Sequence, residues 1–171
     1  MIFMSICQYF KTFSIFLLNC DAFLTNMKRE DTYYMQEAMK EAQLAAARGE
    51  VPIGAVIVHN DRIIARAHNL TETLSDTTAH AEMQAITSAT NYIGGKYLTG
   101  CSIYVTVEPC PMCASALFWS KIDRVVYGAS DEKRGATLFQ PSLYHPKTRI
   151  TGGVLAEECA AIMKEFFKSR R

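Results

Sequence analysis

The stretch GAVIVHNDRIIARAHN, residues 54–69, decides the fold. Residues 54–59 and 62–69 are two β-prone runs, and the Asn60-Asp61 pair between them suits a tight hairpin turn. Upstream, Met35, Met39, Ala42 and Ala46 share one helical face while Glu37, Lys40, Glu41 and Arg48 take the other. Asp31 is placed to cap that helix and Gly49 to stop it. Downstream, a polar loop at 70–78 leads to a helix at 79–91, which Gly94-Gly95 breaks. A strand at 102–107, a helix at 110–120, a strand at 124–128 and a final helix at 155–169 follow. Strands alternating with helices predict a layered α/β sandwich whose sheet begins with an antiparallel hairpin.

The chain has 171 residues, 49% of them hydrophobic and 20% charged, enough for one core and not for two. No repeat, linker or low-complexity tract divides it. A net charge of +1 gives no overall basic footprint for nucleic acid. The charge is unevenly spread, however. Residues 1–120 carry 8 Lys+Arg against 11 Asp+Glu, and residues 121–171 carry 10 against 6, so a polyanion would meet the C-terminal third.

Residues 1–26 differ in character from the rest. Their apolar stretch at 12–18 is shorter than the roughly 20 residues a membrane span needs. A secretory leader would carry a basic start and a small-residue cleavage site, and neither is present. Amphipathic helix begins at Met27-Lys28-Arg29-Glu30, so residues 1–26 read as an extension preceding a true start at Met27, or as a frayed arm.

Six cysteines, two of them spaced C-x-x-C below a His-x-Glu, indicate metal chemistry rather than a disulfide framework, and with it a reducing, cytoplasmic setting. Cys101 and Cys159 lie in apolar segments and read as buried structural thiols. His80-Ala81-Glu82 opens one helix, and Pro109-Cys110-Pro111-Met112-Cys113 opens another directly after a strand. A helix N-terminus presents unpaired N–H groups and partial positive charge, which stabilise thiolates. Cys110 and Cys113, three apart, face one side of their helix, and a neutral His80 makes a third ligand with the fourth zinc position open. A structural zinc would want a fourth protein ligand, for which no second C-x-x-C and no H-x3-H exists. Residues two apart on a helix diverge by about 200°, so His80 and Glu82 can address one ion only at the first turn. Asp76, Thr77 and Thr78 are the candidate caps just upstream. Two thiolates neutralise the ion's charge, so the attacking water needs a nearby base, and Glu82 fills that role.

The pattern H-A-E with E-P-C-P-M-C resembles the cytidine deaminase-like zinc hydrolases. From Arg29 almost to Arg171, the stretches GEVPIGAVIV, TAHAE, VEPCPMC, RVVYGASD, GGVLAEECA and FFKSRR are similar to the bacterial tRNA-specific adenosine deaminases. The resemblance implies a three-layer α/β sandwich with a five-stranded mixed sheet flanked by helices, spanning residues 27–171. It also implies one Zn2+ per subunit, a homodimer, and hydrolysis of the wobble adenosine to inosine in an arginine tRNA anticodon loop. It further assigns Asn69 to base recognition, Pro52, Ile53 and Gly54 to the pocket wall, and Asp131 and Lys133 to the anticodon loop. Phe167, Arg170 and Arg171 are its candidates for further RNA contact.

Each of these has a plainer reading: Asn69 as a turn residue, residues 52–54 as a strand entry, and residues 131–135 as a solvated charge run. Lys164, Lys168 and Arg171 lie opposite Leu155, Cys159, Ile162 and Phe166, as on any solvated helix face. The chain departs from the family at Arg134, where a small residue is usual, and at Pro111, where many tRNA enzymes carry Val. A free-base guanine deaminase shares the zinc motifs, and the basic C-terminal third with its FFKSRR ending speaks against it. A non-catalytic tRNA-binding subunit would have no use for the proton shuttle at Glu82. The intact mass of the native protein is expected to match a chain starting at Met27; a mass that includes residues 1–26 would refute that start.

Overall fold

A computed structural model describes residues 30–170; the 1–26 extension and Arg171 lie outside the described residues. Helix α1 is Asp31–Ala47, followed by strands β1, Gly54–His59, and β2, Arg62–His68. Helix α2, Ala81–Ile93, strand β3, Cys101–Val107, helix α3, Pro111–Trp119, and strand β4, Arg124–Ala129, come next. A short 3-10 turn, Ala136–Leu138, strand β5, Arg149–Thr151, and helix α4, Ala156–Lys168, complete the described chain.

The five strands run in the order β2-β1-β3-β4-β5. Strand β1 pairs antiparallel with both β2 and β3, while β3–β4 and β4–β5 are parallel, so the sheet is mixed. Asn60 and Asp61 both adopt positive φ, 49° and 56°, the backbone that matches a two-residue turn to the twist of its strands. Alternate residues of the central strands then face opposite sides. Ala55, Ile57, Ile103, Val105 and Val125 pack with Ala81, Ala85 and Leu117 of α2 and α3. On the other face Val56, Val58, Tyr104 and Val126 pack with Tyr34, Met35 and Ala38 of α1 and Cys159 of α4. Helices thus cover both faces, giving the expected three-layer sandwich. Cys101 and Cys159 are buried within it, and burial pushes both thiols up to about 11. Among the described residues no helix is long and apolar enough to cross a membrane.

The helix starts depart from the sequence expectation. Glu30 is the N-cap of α1, and Asp31 is its first helical residue. The Asp31 carboxylate instead accepts both terminal nitrogens of Arg124, each at 2.7 Å, and the Tyr104 hydroxyl at 2.8 Å. A bidentate guanidinium contact is stronger than a neutral cap hydrogen bond, so the side chain turns to the sheet. Asp76, Thr77 and Thr78 do not cap α2, whose N-cap is His80 without a side-chain cap bond. The Asp76 carboxylate accepts the Thr78 amide and hydroxyl at 2.8 and 2.7 Å, tightening the loop just before the helix. Strand β5 had no signal in the residue pattern. It is three residues long, and the amide of its first residue donates to Asp123 O at 2.9 Å.

Gly49, at φ +77°, ends α1 as expected and reverses the chain, so that the Glu50 amide returns to Ala45 O at 3.0 Å. Gly54 lets β1 lie directly on α1. A Cβ there would stand 2.1 Å from Ala38 O and 2.4 Å from Ala42 N. Those backbone atoms cannot yield without moving the helix. Gly54→Ala is therefore expected to destabilise the fold by about 3 kcal/mol; an unchanged thermal midpoint would show that the helix–strand approach is looser than described.

Candidate active site

The functional groups gather at one edge of the sheet because of how its strands run. Antiparallel β1 starts where parallel β3 and β4 end, since Ala55 pairs with Val105 and Val105 with Tyr127. Segments before β1, after β2, after β3 and after β4 therefore meet outside one edge, where open α/β sheets bind their ligands. A cleft of about 550 Å³ lies there, a size suited to a small organic group.

Both helices that carry the chemistry begin on this cleft. His80 is the N-cap of α2, and Cys110 is the N-cap of α3 with Pro111 as its first residue. Proline suits that position because its missing N–H would have no helical partner. Nδ1 of His80 stands 3.7 Å from Sγ of Cys110 and 3.5 Å from Sγ of Cys113. A tetrahedral zinc with nitrogen at roughly 2.0–2.1 Å and sulfur at roughly 2.3 Å requires N···S edges of about 3.6 Å. The three ligand atoms lie within 4.8 Å of one another, so this donor set fits zinc.

The three side chains also perturb one another. A hydrogen bond with Cys113, and then one with His80, holds Cys110 down to about 4 against its burial. Cys113 is pushed up, first by that shared hydrogen bond and then by burial. The Cys110 sulfur also raises His80. Zinc takes thiolates and a neutral imidazole, so its binding would displace the protons that these groups hold.

Glu82, in the first turn of α2, is 3% exposed and lines the cleft with His80 and Cys110. Its Oε2 is buried without a hydrogen-bond partner among the described residues. Burial, opposed by its own backbone N–H and by His80, raises its carboxyl above the usual range. A buried acceptor of raised basicity beside a metal-ligand trio can take a proton from water and give it up again.

Of the other expected site residues, Asn69 and Ile53 line the cleft, as do Asp131 and Lys133. Pro52 is buried but is not part of the lining, and Gly54 faces α1. Arg134, the departure from the family pattern, also borders the cleft and adds a cation to its rim. Phe167 stands at the rim, 48% exposed, while Phe166 packs inward. The Arg170 guanidinium lies 4.2 Å over the Phe166 ring and donates to Gly49 O.

Two carboxylates went without a role in the sequence reading. Glu108, buried at the end of β3, accepts Thr137 N at 3.0 Å, Thr137 Oγ1 at 2.7 Å and Asp131 N at 3.1 Å. Gly135 packs directly on it, since a Cβ there would lie 2.4 Å from Glu108 Cδ. Asp131 in turn accepts the amides of Lys133 and Arg134, both at 3.0 Å, so this exposed charged segment is also a held turn. Glu50, behind Asn69, is fully buried. A glutamate inside a strand-terminal EPC is the one signal that would have exposed Glu108.

The family described as the cytidine and deoxycytidylate deaminase zinc-binding region matches residues 28–129. The chain is 47% identical over 147 residues to the tRNA-specific adenosine deaminase of Bacillus subtilis (strain 168), across 83% of this chain and 91% of that protein. A solved structure from studies of A-to-I editing by tRNA:A34 deaminases at the wobble position of transfer RNA aligns with a TM-score of 0.72 and 43% identity, over 77% of this chain and 99% of that one. Guanine deaminase from Bacillus subtilis aligns with a TM-score of 0.57 and 36% identity, over 60% of this chain and 66% of that one. Matches of this length, together with a His80, Cys110 and Cys113 group at metal-ligand spacing, mean that the chain belongs to the tRNA-specific adenosine deaminase family of the cytidine and deoxycytidylate deaminase zinc hydrolases.

Proposed function

We propose that the protein hydrolyses adenosine to inosine at the wobble position of a tRNA anticodon loop, with an arginine tRNA as substrate. The observation that carries this reading is the buried Glu82 carboxylate, whose Oε2 has no hydrogen-bond partner among the described residues, on the cleft where the His80, Cys110 and Cys113 trio gathers. Zinc held by that trio supplies Lewis acidity that makes a water easier to deprotonate. Glu82 takes the proton and passes it to the ring nitrogen beside the carbon that the water oxygen attacks. It then carries the second water proton to the departing amine as the carbon–nitrogen bond breaks. Adenosine and water become inosine and ammonia, and Glu82 ends as it began.

The rim favours a loop nucleotide over a free base. Phe167 offers a ring for stacking, and Lys164 and Lys168 flank a shallow surface that adjoins it along α4. Anticodon-loop bases are already partly unstacked, so extruding one costs only a few kcal/mol. Asp131 and Lys133 reach the anticodon loop, and Arg170 and Arg171 contact phosphates; Arg170 keeps its stacking on Phe166 while doing so. Ile53 forms the pocket wall, with Pro52 and Gly54 supporting it from behind. A homodimer in the cytoplasm completes the reading. Its support is the exposed Trp119, Leu138 and Phe139, and the thiols of Cys101 and Cys159, which are not in disulfides.

The guanine deaminase reading has the shared fold in its favour and is separated by assay. An arginine tRNA transcript is expected to gain inosine, while free guanine and free cytidine remain unchanged; turnover of guanine alone would overturn the substrate. Glu82→Ala should lower turnover by roughly a thousandfold or more with zinc still bound, a loss in the range of a missing proton shuttle. Metal analysis of Cys110→Ala should show zinc lost along with activity. Full zinc occupancy in that variant would remove Cys110 from the ligand set.

A further inference from the structure

Glu50 is 0% exposed and makes no ion pair among the described residues, yet its carboxylate has four partners. Oε1 accepts Thr73 N at 2.7 Å. Oε2 accepts Asn69 Nδ2 at 3.0 Å, Glu72 N at 3.2 Å and Thr71 Oγ1 at 3.4 Å. Burial alone would raise this carboxyl, but the hydrogen bonds from Thr73, Glu72 and Asn69 outweigh it and hold the group below its ordinary range. An ionised carboxylate only accepts, so every group that faces it must donate.

That requirement decides how Asn69 sits. The two ends of an amide are alike in shape, and the network around them determines which points where. Reversing Asn69 would bring its carbonyl oxygen to about 3 Å from a carboxylate oxygen, acceptor against acceptor. The second amide hydrogen is also used, because Nδ2 donates to Thr71 Oγ1 at 2.9 Å. The Asn69 main chain is fixed as well, its N–H donating to Ile53 O at 3.0 Å. With both hydrogens directed away, the carbonyl oxygen is what Asn69 can offer to the cleft it lines.

We propose that Glu50 is a positioning residue that locks Asn69 with its carbonyl oxygen toward the substrate, so that the pocket selects a base or ribose presenting a hydrogen-bond donor there. An amine, a hydroxyl or a protonated ring nitrogen meets that requirement. The proposal deepens the deaminase reading and takes its substrate from it. Glu50 also pins Thr71–Thr73, the first turns of the loop that ends at His80, since Leu70 N donates to Ala79 O at 3.0 Å. The lock and the metal ligand therefore share one segment.

The test is Glu50→Gln in the zinc-loaded protein. Glutamine keeps the shape but offers one acceptor oxygen where the carboxylate offers two, so it cannot accept from Thr73 N and from the Asn69, Glu72 and Thr71 donors together, and the hold on Asn69 is weakened. Formation of inosine in the tRNA transcript is expected to fall roughly ten- to a hundredfold in kcat/KM, with zinc content unchanged. In an Asn69→Ala background the same substitution should cost less than about threefold, because the group it positions is gone. Equal losses in both backgrounds would overturn the proposal in favour of a purely structural Glu50. Side-chain amide exchange in nitrogen-15-labelled protein gives a readout that needs no substrate. The Asn69 NH2 should exchange far more slowly than that of exposed Asn91 in the wild type, and this protection should be lost in Glu50→Gln. Fast exchange at Asn69 in the wild type would refute the lock. Slow exchange with no inosine formed would sustain the lock and refute the tRNA substrate.

Discussion

Two helix starts must meet. His80 caps α2 and Cys110 caps α3, and their side chains come within 3.7 Å although 30 residues separate them. The meeting depends on the sheet: α3 follows directly from the end of β3, and α2 packs across β1 and β2 beside it. Because β1 runs against β3, the entry to β1 lies at the same edge as the exit from β3. Were β1 parallel to β3, Ile53 would lie at the opposite end of the strands from Cys110. The antiparallel hairpin at Asn60-Asp61 is thus as necessary to the site as the ligands are.

Around this fixed centre, two buried carboxylates organise the segments that have no regular structure. Glu50 gathers residues 69–73 on one side of the cleft, and Glu108 gathers residues 131–137 on the other. Each accepts backbone and side-chain N–H and O–H groups of the loop it holds, and neither is in an ion pair among the described residues. A buried carboxyl group without those donors would be expensive, so each loop and its glutamate require one another. The rim of the pocket is accordingly as well defined as the strands that precede it.

The helices, four of the five strands and the zinc trio were legible in the residue pattern because each rests on local information. Periodicity marks α1 through Met35 and Ala42, the Asn60-Asp61 pair marks the turn, and His, Glu and two Cys at these spacings have few other uses. The failures all involve distant partners. Asp31 looked like a cap until Arg124 and Tyr104, 93 and 73 residues away, came within reach. Strand β5 exists because β4 offers it an edge, which three residues cannot announce on their own. Glu50 and Glu108 had no role in the residue pattern, since the loop backbone amides that each accepts lie 22 and 23 residues or more away along the chain.

The metal-ligand side chains stand at helix starts, whereas Asn69, Asp131 and Lys133 lie on connections between strands and helices. The connection that carries Asp131 and Lys133 contains none of the ligand trio, whereas the one that carries Asn69 runs on to His80. Guanine deaminase from Bacillus subtilis, aligned at 36% identity, shows one scaffold serving relatives named for different bases. Reactivity and discrimination are thus separable inheritances in this architecture: a lineage could exchange the molecule it reads without reinventing how it breaks the bond.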